Sequence, residues 1–216
     1  MNTRVSEVPA TQPAPWTPAA RWGVRGWLTD LEGAVHWVEF VGTGDADRPP
    51  LVLVHGLGGS HLNWVLVGPA LAAGRRVVAI DLPGFGLSPG FGRDCSVGEN
   101  AVVLRQFLSR VIGRPAVLVG NSMGGMISLL AAAAEPDAVR GVVLVDPALP
   151  VPDERRDIRV AAGFMLLMTP LAAEVGLRVL TRMQPGRRTA ERVIRSCFAD
   201  PSRMRADVLE AAVELT

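Results

Sequence analysis

The chain contains no lysine: all 22 of its basic residues are arginine. That absence removes Schiff-base chemistry, a pyridoxal-phosphate anchor and a phosphate-loop lysine together. Cysteine is nearly absent as well. Cys95 and Cys197 stand far apart and match no metal-ligand spacing, so they read as incidental thiols, and neither a metal nor an organic cofactor is called for. No uninterrupted apolar run reaches the roughly 18 residues of a membrane span. The formal net charge is +1, without a block of one sign, which gives no electrostatic case for nucleic acid. The opening "MNTRVSEVPATQPAPWTP" is Pro-rich and polar and lacks the apolar centre of a secretory signal, so the default location is cytoplasmic.

What is present is a core. With 49% apolar residues over 216 positions, the chain can bury one sizeable core and a small subdomain. Four short, nearly continuous apolar runs occupy its middle: Leu51 to His55, Val77 to Asp81, Ala116 to Gly120 and Val142 to Asp146. Continuous rather than alternating apolar character marks strands covered on both faces, as in a parallel sheet. Helices are expected between them over His61 to Ala73, Val97 to Ile112 and Met123 to Ala134, the second opened by Ser96 with Glu99 as a capping box and closed by Gly113. Ahead of these, "GVRGWLTDLEGAVHWVEFVG" reads as an antiparallel edge hairpin about Glu32-Gly33. The predicted class is α/β, a mainly parallel doubly wound sheet. The expected division is a flexible leader over 1–21, the core over 22–148 and a helical subdomain over 149–216, in which Arg182, Arg187 and Arg188 belong to a solvated face.

The chemistry concentrates at Gly120-Asn121-Ser122-Met123-Gly124, a G-x-S-x-G string between a predicted strand and a predicted helix. A strained strand-to-helix turn would hold the serine oxygen out at the end of the sheet, and the amide of Met123 would point at a developing oxyanion. "HGLGGS", His55 to Ser60, follows the first core strand, and its backbone amides, Leu57 foremost, would face the same pocket; Gly56, Gly58 and Asn121 are candidate substrate contacts. His55 suits a hydrogen-bonded loop histidine and His61 the opening of the next helix.

Taken together, "LVLVHGLGGSHLNW", "VVAIDLPGFGLSPG", "AVLVGNSMGGMISLLAAAAEP" and "VRGVVLVDPA" resemble the α/β-hydrolase superfamily in order and spacing. The resemblance implies Ser122 as nucleophile, Leu57 and Met123 as oxyanion-hole amides, and a helical cap beginning near Leu149. It implies hydrolysis of an ester or related carbonyl in a small apolar substrate. "GNSMGG" looks like the version in carbon–carbon hydrolases of ring-cleavage pathways, which is the alternative reaction. The family's order is Ser, then Asp or Glu, then His, yet His36, His55 and His61 all precede Ser122 and none follows it. Asp146 occupies an alternative place for the acid. The strands that the family carries after the cap are not seen. Two explanations stand: the amino-terminal part of a longer hydrolase, which the intact serine turn favours, or a shortened protein that uses the fold as a ligand-binding or interaction module. A third would use His61 or His55 as an improvised base.

Overall fold

A computed structural model describes residues 10–43, 47–149 and 200–215, together with 191 and 195. The chain divides into two units, Met1–Ala148 and Leu149–Thr216. In the first, seven strands form one sheet in the order β1-β2-β3-β5-β4-β6-β7: β1 Thr11–Pro13, β2 Val24–Asp30, β3 Ala34–Phe40, β4 Leu51–Val54, β5 Val77–Ile80, β6 Ala116–Asn121 and β7 Val139–Val145. β4 pairs in parallel with β5 and with β6, and β6 with β7. Every residue of β4 and β5 is buried, as continuous apolar runs in the centre of a sheet require. β7 is the outermost strand among the described residues, and Val143, Leu144 and Val145 on it are exposed.

Helices α2, Val97–Phe107, and α3, Met123–Ala134, supply Leu104, Phe107, Ile127 and Ala131 to the core around Val52, Val54, Ile80 and Leu118. Helix α3 has the bounds its composition predicts. Helix α2 opens at Ser96, whose Oγ accepts from Glu99 N at 3.3 Å, but the return half of the expected capping box is not made, since Ser96 N donates to Asp94 Oδ1 at 2.8 Å; its last stretch, Leu108–Ile112, widens into a π turn that Gly113 closes at φ 70°. The helix expected over His61 to Ala73 is broken in two. A 3-10 turn, His61–Trp64, is followed by the short α1, Gly68–Ala72. Pro69 lacks the N–H that a continuous helix would use, and a Cβ at Gly68 would lie 2.3 Å from the Phe40 ring, so this segment is fixed by packing on β3.

The amino-terminal reading needs two corrections. The hairpin is not an edge: β3 joins β5 antiparallel, and β1 pairs outside β2. Residues 11–21 are therefore not a leader. Thr17 caps a turn, Pro18–Trp22, in which Pro18 and Ala19 are buried. The reason lies in Gly26, where a Cβ would meet Ala14 Cβ at 3.1 Å and His36 Nε2 and Thr17 Cγ2 at 3.3 Å. Without a side chain there, the segment lies flat against β2.

In the second unit the described residues form a 3-10 turn, Pro201–Arg203, and a helix, Ala206–Glu214. Most of the segment expected as a cap, with Arg182, Arg187, Arg188 and Cys197, lies outside the described residues. No helix of the described residues is long and apolar enough to cross a membrane.

Candidate active site

Ser122 joins β6 to α3 with φ 49° and ψ −116°, a conformation that side chains rarely adopt. Its backbone is over-determined: Ser122 N donates to Val145 O at 3.0 Å, and Ser122 O accepts from Gly125 N at 3.0 Å and Ala148 N at 3.1 Å. The turn needs its small residues. A Cβ at Gly120 would lie 2.5 Å from Gly124 O, and one at Gly124 would lie 2.4 Å from both His55 O and Val54 O. Asn121 is fixed by donating from Nδ2 to Val145 O at 3.1 Å. Met123 opens α3, so its amide has no intrahelical acceptor.

The loop after β4 abuts this turn. A Cβ at Gly56 would come within 3.0 Å of Asn121 Oδ1 and 3.2 Å of Ser122 Cβ, which places the loop against the serine. Gly58 has φ 69°, and Gly59 N donates to Gly56 O at 3.0 Å. Leu57, at the tip, is 40% exposed. The structure thus brings together Gly56, Asn121 and Ser122, with Leu57, Gly58 and Met123 beside them in the chain. Asp146 follows β7, exposed and at φ 45°, next to the Val145 carbonyl that holds Ser122.

The three histidines are all buried, and all are engaged elsewhere. Leu82 N donates to His55 Nε2 at 3.0 Å, so the proton sits on Nδ1, which donates to Gly56 O at 2.8 Å. Burial pushes the His55 pKa down, against the opposing pull of the Asp81 charge and the Gly56 carbonyl. His61 Nδ1 lies 2.9 and 3.0 Å from the two Asp81 oxygens, and its Nε2 lies 3.2 Å from Thr17 Oγ1. His36 Nδ1 is 2.9 Å from Asp81 Oδ2. Neither His55 nor His61 is placed as a base for Ser122, and no imidazole faces Asp146.

Asp81 is the residue that sequence reasoning passed over. Fully buried at the end of β5, it also accepts from His61 N at 2.6 Å and Leu87 N at 2.9 Å. Gly86, at φ 56°, lets the following loop fold over it, since a Cβ there would meet the carboxylate. Burial alone would raise the Asp81 carboxyl, but the His61 charge and the hydrogen bonds from His36 and His61 outweigh it and hold the group well below the usual carboxylate range. Among the described residues, His36, His61 and Asp81 are also the group dense enough in ligand atoms to hold a metal ion. The carboxylate accepts from His36 Nδ1, from His61 N and Nδ1 and from Leu87 N, while His36 Nε2 is buried without a hydrogen-bond partner. The signal available in the sequence was an aspartate closing a wholly apolar run, which has to find buried donors.

Residues 49–199 match the family model described as alpha/beta hydrolase fold. The chain is 40% identical over 111 residues to the dihydrolipoyllysine-residue acetyltransferase component of the acetoin cleaving system of Pseudomonas putida, covering 51% of this chain and 29% of that protein. It is 37% identical over 115 residues to the (Lyso)-N-acylphosphatidylethanolamine lipase of Homo sapiens, covering 51% and 34%. With the pyrrolizixenacetamide deacetylase of Xenorhabdus hominickii it shares 37% over 144 residues, covering 65% and 53%. The chain therefore spans between 29% and 53% of the length of these curated relatives. Among solved structures, Cfl2 from Burkholderia cenocepacia superposes with a TM-score of 0.73 at 24% identity, over 95% of this chain and 69% of that one. At that identity the likeness shows the fold.

Proposed function

The chain belongs to the alpha/beta hydrolase fold family, and we propose that it carries the nucleophile and oxyanion half of a site that hydrolyses an ester or related carbonyl compound. The observation that carries this reading is Ser122 itself, held at φ 49° between a central strand and a helix start. Strain of that kind persists where the surroundings impose it, and in this reading it serves to present the Ser122 hydroxyl beside the amides of Leu57 and Met123. Ser122 Oγ would attack the carbonyl carbon, the amides of Leu57 and Met123 would hold the oxyanion, and water would release the acyl group. Acyl chemistry also runs through the names of the curated relatives: an acetyltransferase, a lipase and a deacetylase.

A serine hydroxyl needs a base, and all three histidines of the sequence are committed to other partners. We assign the base and its carboxylate to residues outside this sequence, as the longer relatives suggest. The same observation favours the second reading, a binding module on this fold, and one assay separates the two. The purified chain and Ser122→Ala are compared on p-nitrophenyl acetate with increasing imidazole as an external base. Release of p-nitrophenolate by the wild type should rise above that of the variant as imidazole is added, with no difference in its absence. Equal rates at every imidazole concentration would overturn the nucleophile reading and leave the binding module.

A further inference from the structure

We propose that the carboxyl end of β5 is a positioning clamp for the oxyanion loop: Asp81 holds the loop's far end through His61, and Leu82 holds its near end through His55. The proposal rests on the reading of Ser122 as nucleophile and adds what keeps the Leu57 amide aimed at it. The loop needs such a device. Between the end of β4 and His61 it contains Gly56, Gly58 and Gly59, which impose no stiffness of their own, and it has one internal backbone hydrogen bond, Gly59 N to Gly56 O. An oxyanion donor, however, has to be held within about 0.5 Å of its working place.

Rigidity is supplied at the two ends. His55, at 0% exposure, bridges Leu82 N and Gly56 O, and its ring packs edge-on to Phe85 at 5.4 Å. His61, also at 0%, gives both its backbone N–H and its ring Nδ1 to Asp81. Ser60 and Asn63 then form a reciprocal cap on the turn that His61 opens. The two anchoring residues are consecutive, and β5 lies between β3 and β4 in the middle of the sheet, so both loop ends are referred to one rigid point. The bonds at Asp81 are charge-assisted, which makes this the stiffer end.

His36 supplies an internal control. It contacts the same carboxylate and is as deeply buried, but it stands on β3 and meets the loop's far end only where its ring packs on that of His61, centroids 5.0 Å apart. A merely structural cluster would lose the same property from either histidine. The test uses the full chain labelled with ¹⁵N, as wild type, His61→Gln and His36→Gln. Two properties are read: the backbone order of Leu57, Gly58 and Gly59 by relaxation, and the affinity for phenylboronic acid from the amide shifts of Leu57 and Met123. In that adduct Ser122 Oγ bonds to boron, its proton passes to the buffer, and the tetrahedral boronate carries the negative charge.

His61→Gln should loosen residues 57–59 and weaken boronate binding about tenfold, in line with the sensitivity of such sites to misplacement. His36→Gln should lower Tm while leaving loop order and affinity within about twofold. Equal effects of the two variants on the loop, or an unmoved loop in His61→Gln, would overturn the clamp. If the wild type shows no boronate response, the nucleophile reading fails, and the clamp is then judged on the relaxation data alone. Should His61→Gln not fold, His55→Gln tests the other end while leaving the Asp81 cluster whole.

Discussion

Two parts of the molecule carry the residue types of a serine hydrolase in opposite settings. At the β6–α3 junction a serine is strained at a helix start, and among the described residues no histidine is placed as its base. At the end of β5 an imidazole is oriented by a buried carboxylate, as a base would be, but the hydroxyl it faces belongs to Thr17. Residue types alone would have allowed the two to be joined into one triad. Geometry separates them, because the ring nitrogens of His61 are taken and the residue is sealed from solvent. The His–Asp pair is a fastening, whereas the serine is a strained group whose geometry serves no evident packing purpose.

That contrast predicts opposite signs for mutations in the two places. Asp81→Ala should produce the largest loss, about 3–5 kcal/mol, since it strands buried donors from His36, His61 and Leu87. Urea unfolding measures it, and a loss near zero would mean that the cluster fastens nothing. Gly124→Ala tests the packing of the serine turn on the end of β4. Its Cβ would press on the carbonyls of Val54 and His55, and this overpacking, at about 1–3 kcal/mol, exceeds what better helix propensity returns. A net loss of about 2 kcal/mol is expected by the same measurement. Ser122→Gly should go the other way. Relief of backbone strain of about 1–3 kcal/mol outweighs the extra flexibility of the unfolded chain, so the variant should gain about 1 kcal/mol while losing the imidazole-dependent reaction. A destabilised Ser122→Gly would mean that the turn is not strained.

Much of this arrangement was legible in the sequence, for physical reasons that differ from element to element. The runs at Leu51 and Val77 could hardly be anything but buried strands, the run at Ala116 forms a strand buried at alternate residues, and the uncharged, Ala-rich stretch from Met123 forms the helix it predicts. The serine turn and the glycine loop could be read because small residues at fixed spacing carry a steric requirement that is local. The docking of residues 11–22 on the sheet, with Pro18 and Ala19 buried, could not be read, because it depends on space left by Gly26 on a strand that meets them only in the fold. The break between His61 and Ala73 was signalled by Gly68-Pro69 but decided by Phe40. Asp81 required knowing which histidines two other segments would bring to it, information no single stretch contains.

The smallest expected effect concerns acid, and it divides the fastening itself. Burial holds the His55 pKa below its ordinary value of 6.5, so between that value and the folded one the unfolded chain binds the extra proton. The stability His55 contributes is thus fully present above about pH 6.5 and is lost as pH falls through the folded value. Asp81 acts in a different window. Its pKa is depressed, so its contribution is complete above the ordinary 3.8 and is lost only at more acid pH. Urea midpoints at about pH 7.5, 6.5 and 5.5 should therefore decline in the wild type and decline less in His55→Gln, with Asp81 silent over that range. An equal decline in both would show that His55 is not held neutral at the near end of the loop. A decline that His55→Gln removes would show that mild acid works on the Leu82–His55 end while the Asp81 end still holds.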